Sequence, residues 1–488
     1  MELTALVFLP AAAAVLVMLL PQRLEQNAKW FALLGTLAAL TVSIALFFDF
    51  DRDQGGFQYI VQKDWIEVGS FTVQYYMGID GLSLPLLLLT TFLTLAAVLV
   101  SFGIEKRPRA YFASLLLLTT SVLGVFAALD FLLFFLFWEL ELFPMFLLIA
   151  IWGSGRKEYS ATKFVLYTVA GSAAMLIGIL VLAFSAETFD IVRLGEHGEF
   201  IDTVIPVRWI FVLLFIGFAV KLPIVPLHSW LPDAHSDAPT AVSVMLAGVL
   251  LKMGGYGIIR MCVTMLPETA DDLSIWMVVI GVVSILYGAF VTFRQTDVKR
   301  LIAYSSVSHM GLVLLGIGAL GPAGLGGATY QMLAHGLITG MLFVMIGIMY
   351  DRTHTRDIGR LGGLARQMPL IATGLVFAGL ASLGLPGLAG FIAEVSVFLG
   401  VFEQFEWAVL IAFSSVVLSV GYILWTLQRV VFGPVRHEWD ELTDLNRWWE
   451  HAAALSLAAL VVLLGVYPEI ITEIMNPALE AVAARVPA

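Results

Sequence analysis

Six ionisable side chains stand deep inside apolar runs of this sequence: Glu139, Lys221, Lys252, His309, His335 and Glu394. At ~1.5 Å per residue, Glu139 lies roughly 14 Å from the outer end of the run 130–152, and Lys221 roughly 21 Å from the outer end of 207–222. On the same scale Lys252 lies roughly 20 Å from the inner end of 239–262, His309 roughly 17 Å into 298–318 and His335 roughly 14 Å into 326–350. Glu394 sits just past an interruption in 369–402. Each falls in the middle third of a ~30 Å hydrocarbon core. A Lys, Arg or Asp at such a depth costs roughly 2.5–3.5 kcal/mol on insertion scales, so it needs a reason. Any one pair could simply be a satisfied packing contact. Six at one depth on six runs read as a proton relay, the default meaning of ionisable groups within a membrane.

The residue types suit protons. A lysine removed from water can release its proton near neutral pH. A carboxylate ~4 Å away opposes release by about 4 kcal/mol at an effective dielectric of ~20, and doubling the distance removes about half of that. Small movements of Glu139 relative to Lys221 could therefore switch the lysine between holding and releasing a proton. His309 and His335 pass protons through either ring nitrogen. The run Tyr304–Ser308 supplies hydroxyls that either order water between them or serve ordinary helix packing. The polar stretch Leu227–Pro239 contains His228, Asp233, His235 and Asp237. Its histidines stand seven apart with no compact ligand set, which argues against a metal. A proton intake at His228 near the inner surface, or the capping of a bent helix, remain as readings. Glu141, two residues from Glu139, points to another helix face and has no assigned role. Arg193, His197 and the acidic stretch 51–67 read as solvated loops.

The elements that must position these groups are membrane spans. The chain of 488 residues is 60% hydrophobic and 13% charged, with a mean hydropathy of +0.94, whereas soluble domains carry about 25% charged residues. The fold class is an all-α membrane protein with about fourteen transmembrane helices. They are expected near 2–21, 29–49, 79–102, 110–129, 130–152, 161–185, 207–222, 239–262, 274–293, 298–318, 326–350, 369–402, 407–432 and 449–472. The first is read as a retained span and not a signal peptide, because Arg23 follows the apolar run instead of preceding it. Alternate connections hold 18 of the 26 Lys and Arg residues, against 6 on the other side. That bias expects an even number of spans with both termini outside. Pro223, Pro226 and Pro232 break the seventh span, and Gly384-Leu385-Pro386-Gly387 breaks the twelfth. Breaks at corresponding places point to an ion site between two repeats. Five spans separate them, so the repeats are inverted five-helix units. The expected parts are 1–109, 110–262, 274–432 and 433–488.

Other chemistries are excluded. The single cysteine, Cys262, allows no internal disulfide or thiolate cluster. There is no nucleotide fingerprint, nucleophile triad or iron–sulfur set, and no basic tract for nucleic acid. No cofactor or metal is expected in this chain.

The residues Phe137-Trp138-Glu139, Pro144-Met145 and Trp152-Gly153, with Lys221 to His235, Ala238 to Gly254, Lys299 to Gly311 and Gly387 to Glu394, resemble the antiporter-like membrane-arm subunits of respiratory complex I, NADH:quinone oxidoreductase. The resemblance covers nearly the whole chain. It implies fourteen helices with two inverted five-helix repeats. It implies Glu139 as the partner of Lys221, Lys252 as the central lysine, His309 and His335 as the connection, and Glu394 as the carboxylate of the second broken helix. Glu394 in the place of lysine, and an end soon after the fourteenth span, are similar to the M-type branch. Glu141 departs from the pattern and leaves open which carboxylate pairs with Lys221. The resemblance further implies sister antiporter-like chains and other membrane-arm subunits as partners. NADH, flavin, iron–sulfur clusters and quinone would belong to those partners. The location would be a bacterial cytoplasmic membrane, with protons moved outward. The alternatives are a subunit of a multisubunit cation/proton antiporter or hydrogenase-type complex, a solute transporter, or a membrane scaffold.

Overall fold

The computed structural model describes residues 1–52, 55–68, 71–197, 202–439 and 441–487. Helices α1 (Glu2–Leu19) and α2 (Ala28–Asp49) lead into an antiparallel hairpin, β1 (Gln58–Val68) and β2 (Phe71–Ile79). The hairpin corrects the reading of 51–67 as loop and is an addition to an otherwise all-α fold. Tyr59, Ile60, Val61, Trp65 and Ile66 are strand formers, but the charges among them mask the alternation. Next come α3 (Ser83–Val100), α4 (Pro108–Ala127), α5 (Phe131–Leu140), α6 (Leu142–Trp152), α7 (Lys157–Ala186) and α8 (Ile191–His197). Arg193 is exposed, as expected, but on this short helix.

The seventh span is broken as expected, into α9 (Val207–Lys221) and α10 (Trp230–Asp237). The eighth, Thr240–Val263, is α11 (Thr240–Met245) and α12 (Leu251–Gly257), each followed by a π-helical turn, Leu246–Leu250 and Ile258–Val263. Helices α13 (Pro267–Phe293), α14 (Val298–Gly318) and α15 (Pro322–Thr353) follow, then the short α16 (Leu364–Gln367). The twelfth span is likewise broken, into α17 (Pro369–Ser382) and α18 (Ala389–Phe402). Last are α19 (Glu406–Ala412), α20 (Ser414–Val430), α21 (Trp448–Val466) and α22 (Glu469–Ala483). The expected last span, 449–472, thus ends at Val466, and Tyr467-Pro468 turns the chain into a separate helix. Among the described residues, twelve helical stretches are long and apolar enough to cross a membrane by length and composition. The two broken spans supply shorter pieces, of which α17 and α18 are apolar helices of 14 residues.

Two turns on either side of the fold repeat one construction. Asp130 caps α5, accepting from Leu132 N at 2.9 Å and Leu133 N at 3.0 Å. Asp297 caps α14 in the same way, from Lys299 N at 2.8 Å and Arg300 N at 3.0 Å. Each aspartate then forms a β-bridge to a second one, Asp130 with Asp190 and Asp297 with Asp357. The bridging bonds correspond atom for atom. Phe131 N donates to Phe189 O and Ile191 N to Leu129 O, while Val298 N donates to Arg356 O and Ile358 N to Thr296 O. Capped starts satisfy the orphan N–H groups of helices that end near a low-dielectric region.

Candidate proton relay

Lys221 is the last residue of α9 and is 1% exposed. Its ammonium forms an ion pair with Glu141 Oε1. This corrects the expected pairing with Glu139. Glu141 occupies the turn between α5 and α6 and is fully buried, on the side that meets α9. Glu139 is half-buried, and its Oε1 has no hydrogen-bond partner among the described residues. The Lys221 ammonium also lies over the rings of Trp138 at 5.3 Å and Phe164 at 5.5 Å. Such faces favour a cation without competing for its proton. Trp138 is held in turn by Nε1 donating to Ser172 Oγ at 3.1 Å.

The break after Lys221 frees backbone groups, and neighbours satisfy them. Trp230 Nε1 donates to Val220 O at 2.9 Å, and Val225 N donates to Ser284 Oγ at 3.0 Å. Irregular backbone inside a membrane survives only with such partners.

Lys252 is fully buried on α12. The π turn before it leaves Ala247 O free to accept from the lysine Nζ. His335 Nδ1 stands 2.8 Å from that same nitrogen. If the lysine donates, the ring carries its own proton on Nε2, which is buried without a partner among the described residues. The His309 ring lies 5.5 Å from that of His335, and its Nε2 is equally unpartnered. Gln331 Nε2 touches His309 Nδ1 at 3.4 Å. The resemblance implied Lys252 as the central lysine and His309 and His335 as the connection; in the structure the Lys252 ammonium meets the His335 ring and the His309 ring lies beside it.

The groups are joined by close helix packing. Gly254, two residues from Lys252, is so near the end of α9 that a Cβ there would lie 2.6 Å from Phe218 O and Leu222 N. Gly390 on α18 approaches Ala381 O across the second break, and Ile338 on α15. Glu394 stands one turn beyond, buried, with Oε2 against Gly384 in the turn of the break. Gly384 has φ +76°, and a Cβ would meet that oxygen at 2.6 Å. Glycine is required there for conformation and for space.

Helix α10 carries the expected intake residue. His228, just before it, is buried between the rings of Tyr287 at 4.9 Å and Tyr304 at 6.4 Å, with Nδ1 unpartnered. Among the described residues, no hydrogen bond or ion pair joins His228 or Glu394 to Lys221 or Lys252. The sequence reading missed the ion pairs that fix α10. Asp233 accepts from Lys163 at 2.8 Å and from Arg300 at 3.0 Å. Ser160 Oγ donates to Asp237 Oδ2 at 2.6 Å. These residues lie near helix ends, where hydropathy reads charge as loop. His235, on α10, is fully buried against Phe343, 4.7 Å ring to ring, with both nitrogens unpartnered among the described residues. Among the described residues no three His, Cys, Asp or Glu come together as a metal site would need.

A protein-family profile described as NADH:quinone oxidoreductase/Mrp antiporter, transmembrane, matches residues 128–420. The NADH-quinone oxidoreductase subunit M of Rhodobacter capsulatus is 41% identical over 97% of this chain and 95% of its own length. An NAD(P)H-quinone oxidoreductase chain 4 of Synechococcus elongatus is 40% identical over 99% of this chain and 92% of its own. A chain of respiratory complex I from Thermus thermophilus superposes with a TM-score of 0.90 at 30% identity, covering all of both chains. A chain of the Mrp complex from Dietzia sp. shares the fold, with a TM-score of 0.85 at 22% identity over 98% of this chain and 97% of that one.

Proposed function

This chain belongs to the NADH:quinone oxidoreductase/Mrp antiporter transmembrane family, and from that membership we propose that it is the M-type proton-translocating membrane subunit of an NADH:quinone oxidoreductase. The observation that carries the relay is the direct contact of Lys252 Nζ with His335 Nδ1, deep in the protein and with His309 beside it. Lys221 paired with Glu141 at the first break, and the buried Glu394 at the second, complete the proposed relay.

The mechanism follows from electrostatics. A charged lysine in apolar surroundings is costly, and the cost falls when a carboxylate or ring nitrogen takes up the charge or the proton. Lys221 holds a proton while Glu141 is ionised beside it, and releases it when that pairing weakens. Lys252 has no carboxylate partner among the described residues, so its proton is shared with His335 and passed toward His309. Glu394 receives or returns protons at the far break. The side chains never carry a redox group; quinone, flavin, NADH and iron–sulfur chemistry belongs to partner chains, whose energy this relay uses.

The matching cap-and-bridge turns at Asp130 and Asp297 support two inverted five-helix repeats, 110–262 and 274–432, flanked by 1–109 and 433–488. The basic connections support both termini outside a bacterial cytoplasmic membrane, with sister antiporter-like chains as neighbours. The shared fold of the Mrp chain favours a second reading, a cation/proton antiporter subunit. Quinone-reductase-driven proton pumping in vesicles decides between them. Lys252→Ala in an assembled complex should abolish pumping, and the wild type should pump without sodium. Normal pumping by Lys252→Ala would make these charges structural, and a strict sodium requirement would favour the antiporter.

A further inference from the structure

The first turns of α9 and α13 lie side by side, and an apolar groove of about 750 Å³ runs from them down between the two helices. Arg208 stands exposed at its mouth and, among the described residues, is the one charged side chain along it. No ion pair among the described residues engages Arg208. Trp209, next to it, and Trp276, from the facing helix, line the same groove and are 61% and 59% exposed. Tryptophan beside a basic residue at the end of a span is the pattern of the membrane–water boundary. Phe211 and Phe215, 6.2 Å apart and stacked, form one wall. The far end is residues 224–227, the turn of the first break. The backbone donors of that turn are already met. Ile224 N donates to Ala219 O at 3.3 Å, Val225 N to Ser284 Oγ at 3.0 Å and Leu227 N to Ile224 O at 2.7 Å, while Pro226 has no N–H. Such a floor asks nothing of water and tolerates hydrocarbon.

We propose that this groove is a phospholipid site, in which Arg208 holds the phosphate and one acyl chain runs between α9 and α13 to the first break, sealing from water the turn that follows Lys221. Charge complementarity names the headgroup. A guanidinium without a carboxylate partner, at a span's end and between two indoles, matches a phosphate with paired N–H donors. Depth names the chain. From Arg208 to Ala219 the groove descends roughly 16 Å at ~1.5 Å per residue, about half of a ~30 Å core and so one leaflet. A helix of a neighbouring chain crosses both leaflets and would run on past the floor, whereas an acyl chain ends there. With hydrocarbon in place, water is kept from the break on that side. Lys221 then keeps the dry surroundings in which its proton depends on Glu141. The sealing role rests on the relay reading given above; the lipid site does not.

The test uses the intact complex in its membrane. A photo-cross-linking phenylalanine analogue at Phe215 should couple to phospholipid, read as a mass shift on its peptide. Coupling to a second polypeptide, or to neither, overturns the proposal. Arg208→Gln should lower the phospholipid coupling about fivefold, the order expected of one basic group at a phosphate-bearing surface. Arg208→Lys, which keeps the charge, should restore most of it; an unchanged yield in Arg208→Gln overturns the headgroup assignment. The same Arg208→Gln complex should pump fewer protons per quinone reduced, and a native ratio despite lost coupling overturns the sealing role. If Lys221→Ala pumps normally, the relay reading falls and the sealing role with it, while the coupling yields still decide the lipid site.

Discussion

At the scale of single residues, the ion pair of Lys221 with Glu141 sets which carboxylate governs the lysine's proton. Lys221, Lys252 and Glu394 stand out because nothing else polar surrounds them in the chain, and their burial follows from that. Which carboxylate meets Lys221 depends on where α9 packs against α5, and a sequence does not give that angle. A usable signal was present. Leu136, Leu140 and Phe143 share a face with Glu139, whereas Phe134, Trp138, Met145 and Leu148 share one with Glu141, and only the second face is buried. The pairing predicts that Glu141→Gln leaves Lys221 buried without its counter-ion. Pumping should fall by about a hundredfold, the low end of what loss of one positioned proton-transfer group costs. Pumping assays on the assembled complex check this. At the second break, Gly384→Ala meets both a positive φ and the Glu394 carboxyl, so the variant should be destabilised by more than about 1 kcal/mol. Thermal unfolding of the purified complex would show it, and an unchanged midpoint would mean that Glu394 swings clear of Gly384.

At the scale of elements, hydropathy and proline placement gave the spans and both breaks, since these features are local. The hairpin escaped because its strands mix charge with β-branched residues. Helix α22 escaped because its apolar face is only a stripe, with Ile471, Ile474, Met475, Leu479 and Val482 buried and the rest at most half-buried. The fastening of α10 by Asp233 escaped because its cations, Lys163 and Arg300, sit at the ends of other spans. What holds the first break is clearer in the structure than in the chain. Trp230→Phe keeps the ring but leaves Val220 O without its donor, an unsatisfied buried group that costs about 1–3 kcal/mol. The expected outcome is a less heat-stable complex with Lys221 still present, measured by comparing melting of the variant with that of Lys221→Ala.

At the scale of the whole molecule, the hairpin and the lysine-bearing eighth span are tied by one buried ion pair, Arg260 to Asp80 at 2.6 Å. Asp80→Asn removes one charge and strands the other, which costs about 3–5 kcal/mol for a buried pair. Loss of assembled complex on native gels, rather than loss of pumping in what remains, is the expected signature. Orientation is tested by cysteines placed at exposed positions. Arg107 and Arg360 should be labelled from the cytoplasmic side and Lys63 from the other, with native Cys262 silent because it is buried. Under the proposed inverted repeats the two broken spans lie five apart in the order of crossings, and the chain would pass through them in opposite directions. Lys221 comes before its break and Glu394 after its own. Read along the chain these are opposite placements; under the proposed repeats, read across the bilayer, they would be the same storey. A molecule folded this way can keep a donor and an acceptor level with each other while the loops that reach them open toward opposite faces, so a charge can travel sideways between the breaks without climbing.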